Sequence, residues 1–202
     1  SSKTANTVHI IKVNKLEWLL TNWGFGWRKI LNRLDNKVKE LTKSSASGKV
    51  TLIGHSSGGV MLRLYLSDQS FKGRIYQGLN KANCLITLGS PHTAKKSTYL
   101  RRMVDQKYPG SFYSKQVKYI SIAGEISIDD PYITKLTRLT ADISYKSLWQ
   151  EEKLKGDGLV PIKSALLNGS TQIIIDKTSH GSLFGENWYC SRVRLEEWWE
   201  KI

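Results

Sequence analysis

Apolar positions along the chain follow two periods, and the switches between them mark its elements. Residues 8–13 (V-H-I-I-K-V) read as a strand. From 27 to 41, Leu31, Leu34, Val38 and Leu41 share one face of a helix. A polar turn at 44–48 precedes a short apolar strand at 50–53, which ends at Gly54, and a helical pattern at 58–66. The next strand, 84–88, stops at Gly89-Ser90-Pro91 and leads into a basic, helix-like segment from 93 to 107. A strand at 117–123 is followed by an irregular stretch to Gly156, a short helix at 163–167 and a strand at 171–176. The last helix sets Leu195, Trp198, Trp199 and Ile202 on one face. Strands alternating with helices predict an α/β fold, a mostly parallel sheet with helices on both faces. In such sheets ligands bind beyond the carboxyl ends of the strands, so chemistry is expected there.

Composition narrows the picture. At 202 residues and 22.9 kDa the chain suits a single domain over 1–202, with a lid or insertion at about 125–155. Hydrophobic residues at 40% and charged residues at 24% allow a real core and argue against intrinsic disorder. No apolar run approaches the ~20 residues of a membrane-spanning helix. No basic start followed by an apolar stretch and a cleavage site is seen, so a cytoplasmic protein is expected, in peripheral contact with a membrane at most. Two cysteines, Cys84 in a strand pattern and Cys190 in a late helix pattern, exclude a disulfide framework and read as reduced thiols.

The net charge of +14 favours anionic partners: nucleic acid, acidic lipid or charged substrates. Lysine outnumbers arginine 22 to 9, and lysine is the poorer bidentate reader of phosphates and bases. With no helix–turn–helix, zinc-finger or RNA-binding signature, no specific nucleic-acid partner is expected.

The strongest chemical signal is Gly54-His55-Ser56-Ser57-Gly58-Gly59, which contains G-x-S-x-G. The short form is common, but here an apolar strand enters it and a helix leaves it. Glycines suit this turn because neighbouring Cβ atoms would clash while the serine takes a strained backbone angle. Such a turn holds the Ser56 hydroxyl above the sheet and aims the Ser57 amide where an oxyanion would form. A serine nucleophile needs a base, and the chain has four histidines. His9 lies in the first strand pattern. His55, inside the elbow, is expected to point away from Ser56 and pack beneath it. His92 follows a strand end and could border the site. His180, in Thr178-Ser179-His180-Gly181-Ser182 after the last strand, is the best placed base. The acid that would hold the imidazole is Asp157, in Gly156-Asp157-Gly158, with Asp129 and Asp130 as alternatives.

These motifs, G-H-S-S-G-G, then T-L-G-S-P-H at 87–92, G-D-G-L-V-P at 156–161 and S-H-G at 179–181, resemble the lipase/esterase branch of the α/β-hydrolase superfamily. The resemblance is nearest to lipase-like proteins of phototrophs related to GPI inositol deacylase. It extends over nearly the whole chain, including L-E-W-L at 16–19 and Y-P-G-S-F-Y at 108–113. It implies Ser56 as nucleophile, Asp157 as orienting acid, His180 as base and Ser57 N–H as oxyanion donor, while their positions alone make His55 and His92 candidate residues of the pocket or its surround. Ester hydrolysis by such a triad needs no metal and no organic cofactor, and none is expected. The chain departs from the family at its front. Members carry an earlier strand and a P-G or H-G loop that gives the second oxyanion donor, so the fold is expected to be shortened at its N-terminus, with exposed sheet edges. The stretch Asn22-Trp23-Gly24-Phe25-Gly26 is a substitute source of an amide.

Two softer features remain. The segment 93–118 carries Lys95, Lys96, Arg101, Arg102, Lys107, Lys115 and Lys118 against Asp105. It reads either as a surface for anionic membrane or as a solvated helix face. The stretch 125–152, with Tyr132, Leu136, Leu139, Ile143, Tyr145, Leu148 and Trp149, reads as a lid or as a helical insertion. The expected function is hydrolysis of carboxylic esters, of acyl lipids in particular, through an acyl-enzyme. The alternatives are an acyltransferase with the same triad and a catalytically impaired hydrolase fold used for binding.

Overall fold

The computed structural model describes residues 7–14, 17, 26–93, 98–127, 133–135, 137, 143, 145 and 155–202. Its elements run α1 (Trp27–Ser44), β1 (Val50–His55), α2 (Ser57–Leu66), β2 (Ala82–Leu88), α3 (Tyr99–Lys107), β3 (Lys118–Glu125), α4 (Ile162–Ala165), β4 (Thr171–Asp176) and α5 (Arg192–Glu200). The four strands form one sheet in the order β1-β2-β3-β4, every pair parallel. This is the α/β architecture that the alternating pattern predicts.

The strand pleat divides the core into two layers. On one face, Leu52 and Leu85 pack with Leu31, Leu34 and Val38 of α1, Val60 and Leu64 of α2, and Leu100 and Val104 of α3. On the other, Ile86 and Leu88, Ile120 and Ile122, and Ile173 and Ile175 meet Tyr189 and Trp198. Full burial of each such aliphatic side chain stabilises the fold by about 1.5–3 kcal/mol before the entropy cost is counted. Helix α2 is buried almost all round, from Gly59 to Leu66. That explains its apolar sequence and makes it a rigid base for the residues at its N-terminus.

Two expectations are corrected. Residues 8–13 form no strand. Val8 and Ile10 are exposed, and only Ile11 and Val13 rest against the core. A short apolar run does not by itself specify a pairing partner. Consequently β1 and β4 are the edges of the described sheet, and Ile53 on β1 is 42% exposed. In α5, Trp198 is buried while Leu195 and Trp199 remain substantially exposed, so the apolar face of this helix is only partly used. Cys190 lies in a turn ahead of α5, exposed, and Cys84 is half-buried; both are free thiols. Residues 22–25, Lys95, Lys96, Asp129, Asp130 and most of the segment 125–155 lie outside the described residues. Among the described residues no helix is long and apolar enough to cross a membrane.

Candidate active site

The carboxyl ends of the strands are brought level by their register, and backbone bonds fasten the loops beyond them. Ser56 N–H donates to Leu88 O (2.9 Å), Gly89 N–H to Ile122 O (2.9 Å) and Thr178 N–H to Glu125 O (3.1 Å). The segments after β1, β2, β3 and β4 therefore meet along one rim.

At the end of β1 the chain reverses sharply into α2. Ser56 takes φ 54° and ψ −135°, a conformation that costs a non-glycine residue of order 1–3 kcal/mol. The tight crossing explains the glycines around it. A Cβ on Gly54 would lie 2.6 Å from the Gly59 backbone nitrogen, and one on Gly59 would strike the Ser90 side chain. Ser57 and Gly58 open helix α2, where the first amides have no partner within the helix. Ser57 N–H has no acceptor among the described residues.

Three polar side chains from distant parts of the chain converge here. Ser56 Oγ lies 3.0 Å from His180 Nε2, and His180 Nδ1 lies 2.8 Å from Asp157 Oδ2. The carboxylate can only accept, so Nδ1 carries the proton and Nε2 is left to accept from the Ser56 hydroxyl. Asp157 is fully buried, which an anion tolerates only when its oxygens are satisfied. Its Oδ1 accepts from the amides of Leu159 (3.0 Å) and Val160 (2.7 Å). Its Oδ2 accepts from the Tyr189 hydroxyl (2.9 Å) as well as from His180. The two loops are also joined through their backbones, since His180 N–H donates to Asp157 O (2.8 Å).

Tyr189 is a residue that sequence reasoning missed. Its hydroxyl donates to Asp157 and accepts from Gly124 N–H (2.6 Å), so it ties the acid to the end of β3. Burial, with the Asp157 charge beside it, pushes its pKa well above the usual tyrosine value, so it stays a donor. Gly89, at φ +52°, leaves space for this contact. A Cβ there would lie 2.6 Å from Asp157 Oδ2 and 2.7 Å from the Tyr189 ring. No motif surrounds Tyr189; only its aromatic neighbours Trp188 and Trp198 hint at a buried corner.

His55 corrects an expectation. It does not pack beneath Ser56 but lies beside His180, with ring centroids 4.8 Å apart, and lines the same cleft. Its Nε2 is 2.7 Å from His180 O. A carbonyl only accepts, so this nitrogen carries the proton. Burial, then the neighbouring His180, lowers its pKa to about 4, and it is neutral at pH 7. His92 is buried away from the cleft lining. Arg63 Nη1 donates to its Nδ1 (3.3 Å) and its Nε2 faces Thr87 Oγ1 (3.2 Å). Burial, then the Arg63 charge, holds His92 well below the usual histidine pKa. His9 lies in the segment 7–14, which forms no strand.

A cleft of about 560 Å³ opens over Ser56 and His180, walled by His55, Leu159, Leu183, Phe184 and Trp188 among others. The wall at 183–184 is braced by the described parts of the 125–155 segment. Thr134 N–H and Thr137 Oγ1 both donate to Phe184 O, and Thr134 Oγ1 donates to Leu183 O (3.1 Å). The Tyr145 hydroxyl accepts from Gly158 N–H (2.9 Å), beside Asp157. Arg101, counted in the sequence among surface charges, instead turns inward from α3, its Nη2 2.6 Å from Ser57 Oγ.

No protein-family model matches the chain, and no curated protein matches it. Solved structures resemble it in fold. Phospholipase PlaB from Legionella pneumophila superposes with a TM-score of 0.54 at 12% identity, over 85% of this chain and 46% of that one. The same phospholipase in complex with thio-NAD gives 0.52 at 14% identity, over 80% of this chain and 40% of that one. This chain thus spans less than half the length of either. At such identities the likeness is one of fold.

Proposed function

We propose that this protein is a serine hydrolase of carboxylic esters, acting on acyl lipids. The observation that carries the reading is the hydrogen-bonded chain from Ser56 through His180 to the buried Asp157. In this reading Ser56 Oγ attacks the ester carbonyl carbon while its proton passes to His180 Nε2. Asp157 keeps Nδ1–H in place and stabilises the imidazolium. The electron pair displaced onto the carbonyl oxygen is held by the Ser57 N–H. The tetrahedral adduct expels the alcohol, which takes the proton from His180, and leaves an acyl-enzyme. Water, deprotonated by His180, then releases the acid and restores Ser56.

Acyl lipids are supported by the apolar wall of Leu159, Leu183, Phe184 and Trp188 beside Ser56. The fold shared with a phospholipase supports them too. Kinship to GPI inositol deacylase-type lipases rests on the four sequence motifs alone. Contact with anionic membrane is supported by the +14 charge.

A second reading, a catalytically silent hydrolase fold used for binding, is favoured by one observation: among the described residues, Ser57 is the one backbone amide identified for the oxyanion. One experiment separates them. Wild type is expected to react with a fluorophosphonate probe and to hydrolyse short p-nitrophenyl esters, and Ser56→Ala to do neither. Labelling that survives Ser56→Ala would overturn the nucleophile. Labelling without turnover would favour the silent fold.

A further inference from the structure

We infer that Arg101 supplies the second donor to the oxyanion, through its guanidinium rather than a backbone amide. This deepens the reading of Ser56 as nucleophile and rests on it.

The position of the guanidinium is the first argument. Arg101 Nη2 lies 2.6 Å from Ser57 Oγ, and that oxygen is joined to the Ser57 amide nitrogen only through Cβ and Cα. The cationic end is thus held on the same residue whose N–H would receive the oxyanion. That N–H has no acceptor among the described residues. Arg101 comes from α3 and is not part of the cleft wall that carries His180. Base and cation thus approach the Ser56–Ser57 corner from different elements.

The second argument is charge. Arg33, Arg63, Arg74, Arg192 and Arg194 each face a carboxylate, at 2.5–3.7 Å. Arg101 is half-buried and has no carboxylate partner among the described residues. Its recorded acceptor is a neutral hydroxyl. A partly desolvated cation held by a neutral group is stabilised most by an anion. The anion that forms next to Ser57 is the oxygen of the tetrahedral adduct. As the carbonyl π pair moves onto that oxygen, Arg101 exchanges its bond to Ser57 Oγ for one to the oxyanion. No proton is transferred, and the bond to Ser57 Oγ returns when the adduct collapses. Ser57 thereby serves twice, its amide as donor and its hydroxyl as the resting place of the guanidinium.

The test measures kcat and KM of Arg101→Gln, Arg101→Met and Arg101→Lys on a neutral p-nitrophenyl ester and on anionic phospholipid vesicles. It adds inhibition by a trifluoromethyl ketone, which mimics the tetrahedral oxyanion, and thermal unfolding. The expected loss for Gln and Met is about 10²–10³ in kcat on both substrates, with KM and Tm little changed. Across the variants, log kcat/KM should track log Ki for the ketone with a slope near one. A slope near zero, or full kcat on the neutral ester, overturns the inference. So does a loss confined to KM on the anionic vesicles, which would make Arg101 a headgroup site. If Gln and Met fail to fold, Arg101→Lys still decides, because its kcat/KM and ketone affinity must fall by the same factor. Ser56→Ala serves as the control. If it is inactive while the Arg101 variants are unaffected, this inference alone fails. If it keeps full activity, or if wild type neither labels nor turns over, the reading of Ser56 fails and takes Arg101 with it.

Discussion

Four hydrogen bonds converge on the Asp157 carboxylate, from three kinds of donor: two amides, a phenol and an imidazole. Replacing Asp157 by Asn keeps the shape but reverses the proton preference of His180 Nδ1. An effect on kcat of about 10⁴-fold is expected, measured on a soluble ester. Tyr189→Phe removes one donor to the acid and leaves Gly124 N–H unpaired. It should lower stability by about 1–3 kcal/mol in urea titration and weaken kcat far less than Asp157→Asn. His55 adds a pH dependence. Its folded pKa, about 4, lies below the ordinary 6.5, so between these values the unfolded chain binds the extra proton. Stability is therefore fully present above pH 6.5 and declines as pH falls toward 4, by up to about 3 kcal/mol from this group. Urea midpoints at pH 7 and pH 4.5 should differ less in His55→Gln than in wild type. Ser56 and Asp157 could be put forward from glycine-flanked turns, and His180 from its place after the last strand among only four histidines. Tyr189 and Arg101 could not, because a buried tyrosine and one arginine among nine carry no local pattern.

Among the elements, α1 shows how a surface helix is fastened to the sheet layer. Its apolar stripe is readable from the sequence, but Asp35 within it is 1% exposed. Burial would raise the pKa of this carboxyl. Hydrogen bonds from Lys81, Lys39 and Arg74 outweigh that and hold it at about 2. Tyr65 of α2 also donates to it, at 3.1 Å. Lys39 stands one helical turn from Asp35, but Arg74 and Lys81 come from distant parts of the chain, so only folding completes the cluster. Asp35→Asn leaves three cations facing a neutral group and is expected to cost about 3–5 kcal/mol in chemical denaturation. The stabilisation from Asp35 is present above its unfolded pKa near 3.8 and is lost as pH falls through about 2. Residues 8–13 form no strand although β1 is an edge of the described sheet, because a local apolar run of six residues does not encode which edge it would pair with.

Taken whole, the molecule combines a parallel sheet, four-stranded among the described residues, with a strongly basic composition. Most of the lysines carry no role in the cleft. Their summed field predicts adsorption to anionic vesicles that weakens steeply between 50 and about 200 mM salt, because exposed charges are screened over a Debye length of ~10 Å. Flotation of the protein with vesicles of phosphatidylserine and phosphatidylcholine across a salt series measures this. Neutral vesicles should retain little protein at any salt.

The sequence by itself determined the alternation of strands and helices and the elbow at Ser56, and it put forward His180 after the last strand and Asp157 in a glycine-flanked turn, with Asp129 and Asp130 as alternatives. These are local properties, set by apolar period and by glycines that a tight backbone turn requires. The tertiary structure alone decided that His55 lies beside His180, that His92 is shut away with Arg63, that Tyr189 completes the shell of Asp157, and that Arg101 turns from solvent to Ser57. Each of these depends on which surfaces the sheet brings within hydrogen-bonding reach. That follows from packing across tens of residues, which no short stretch of sequence encodes.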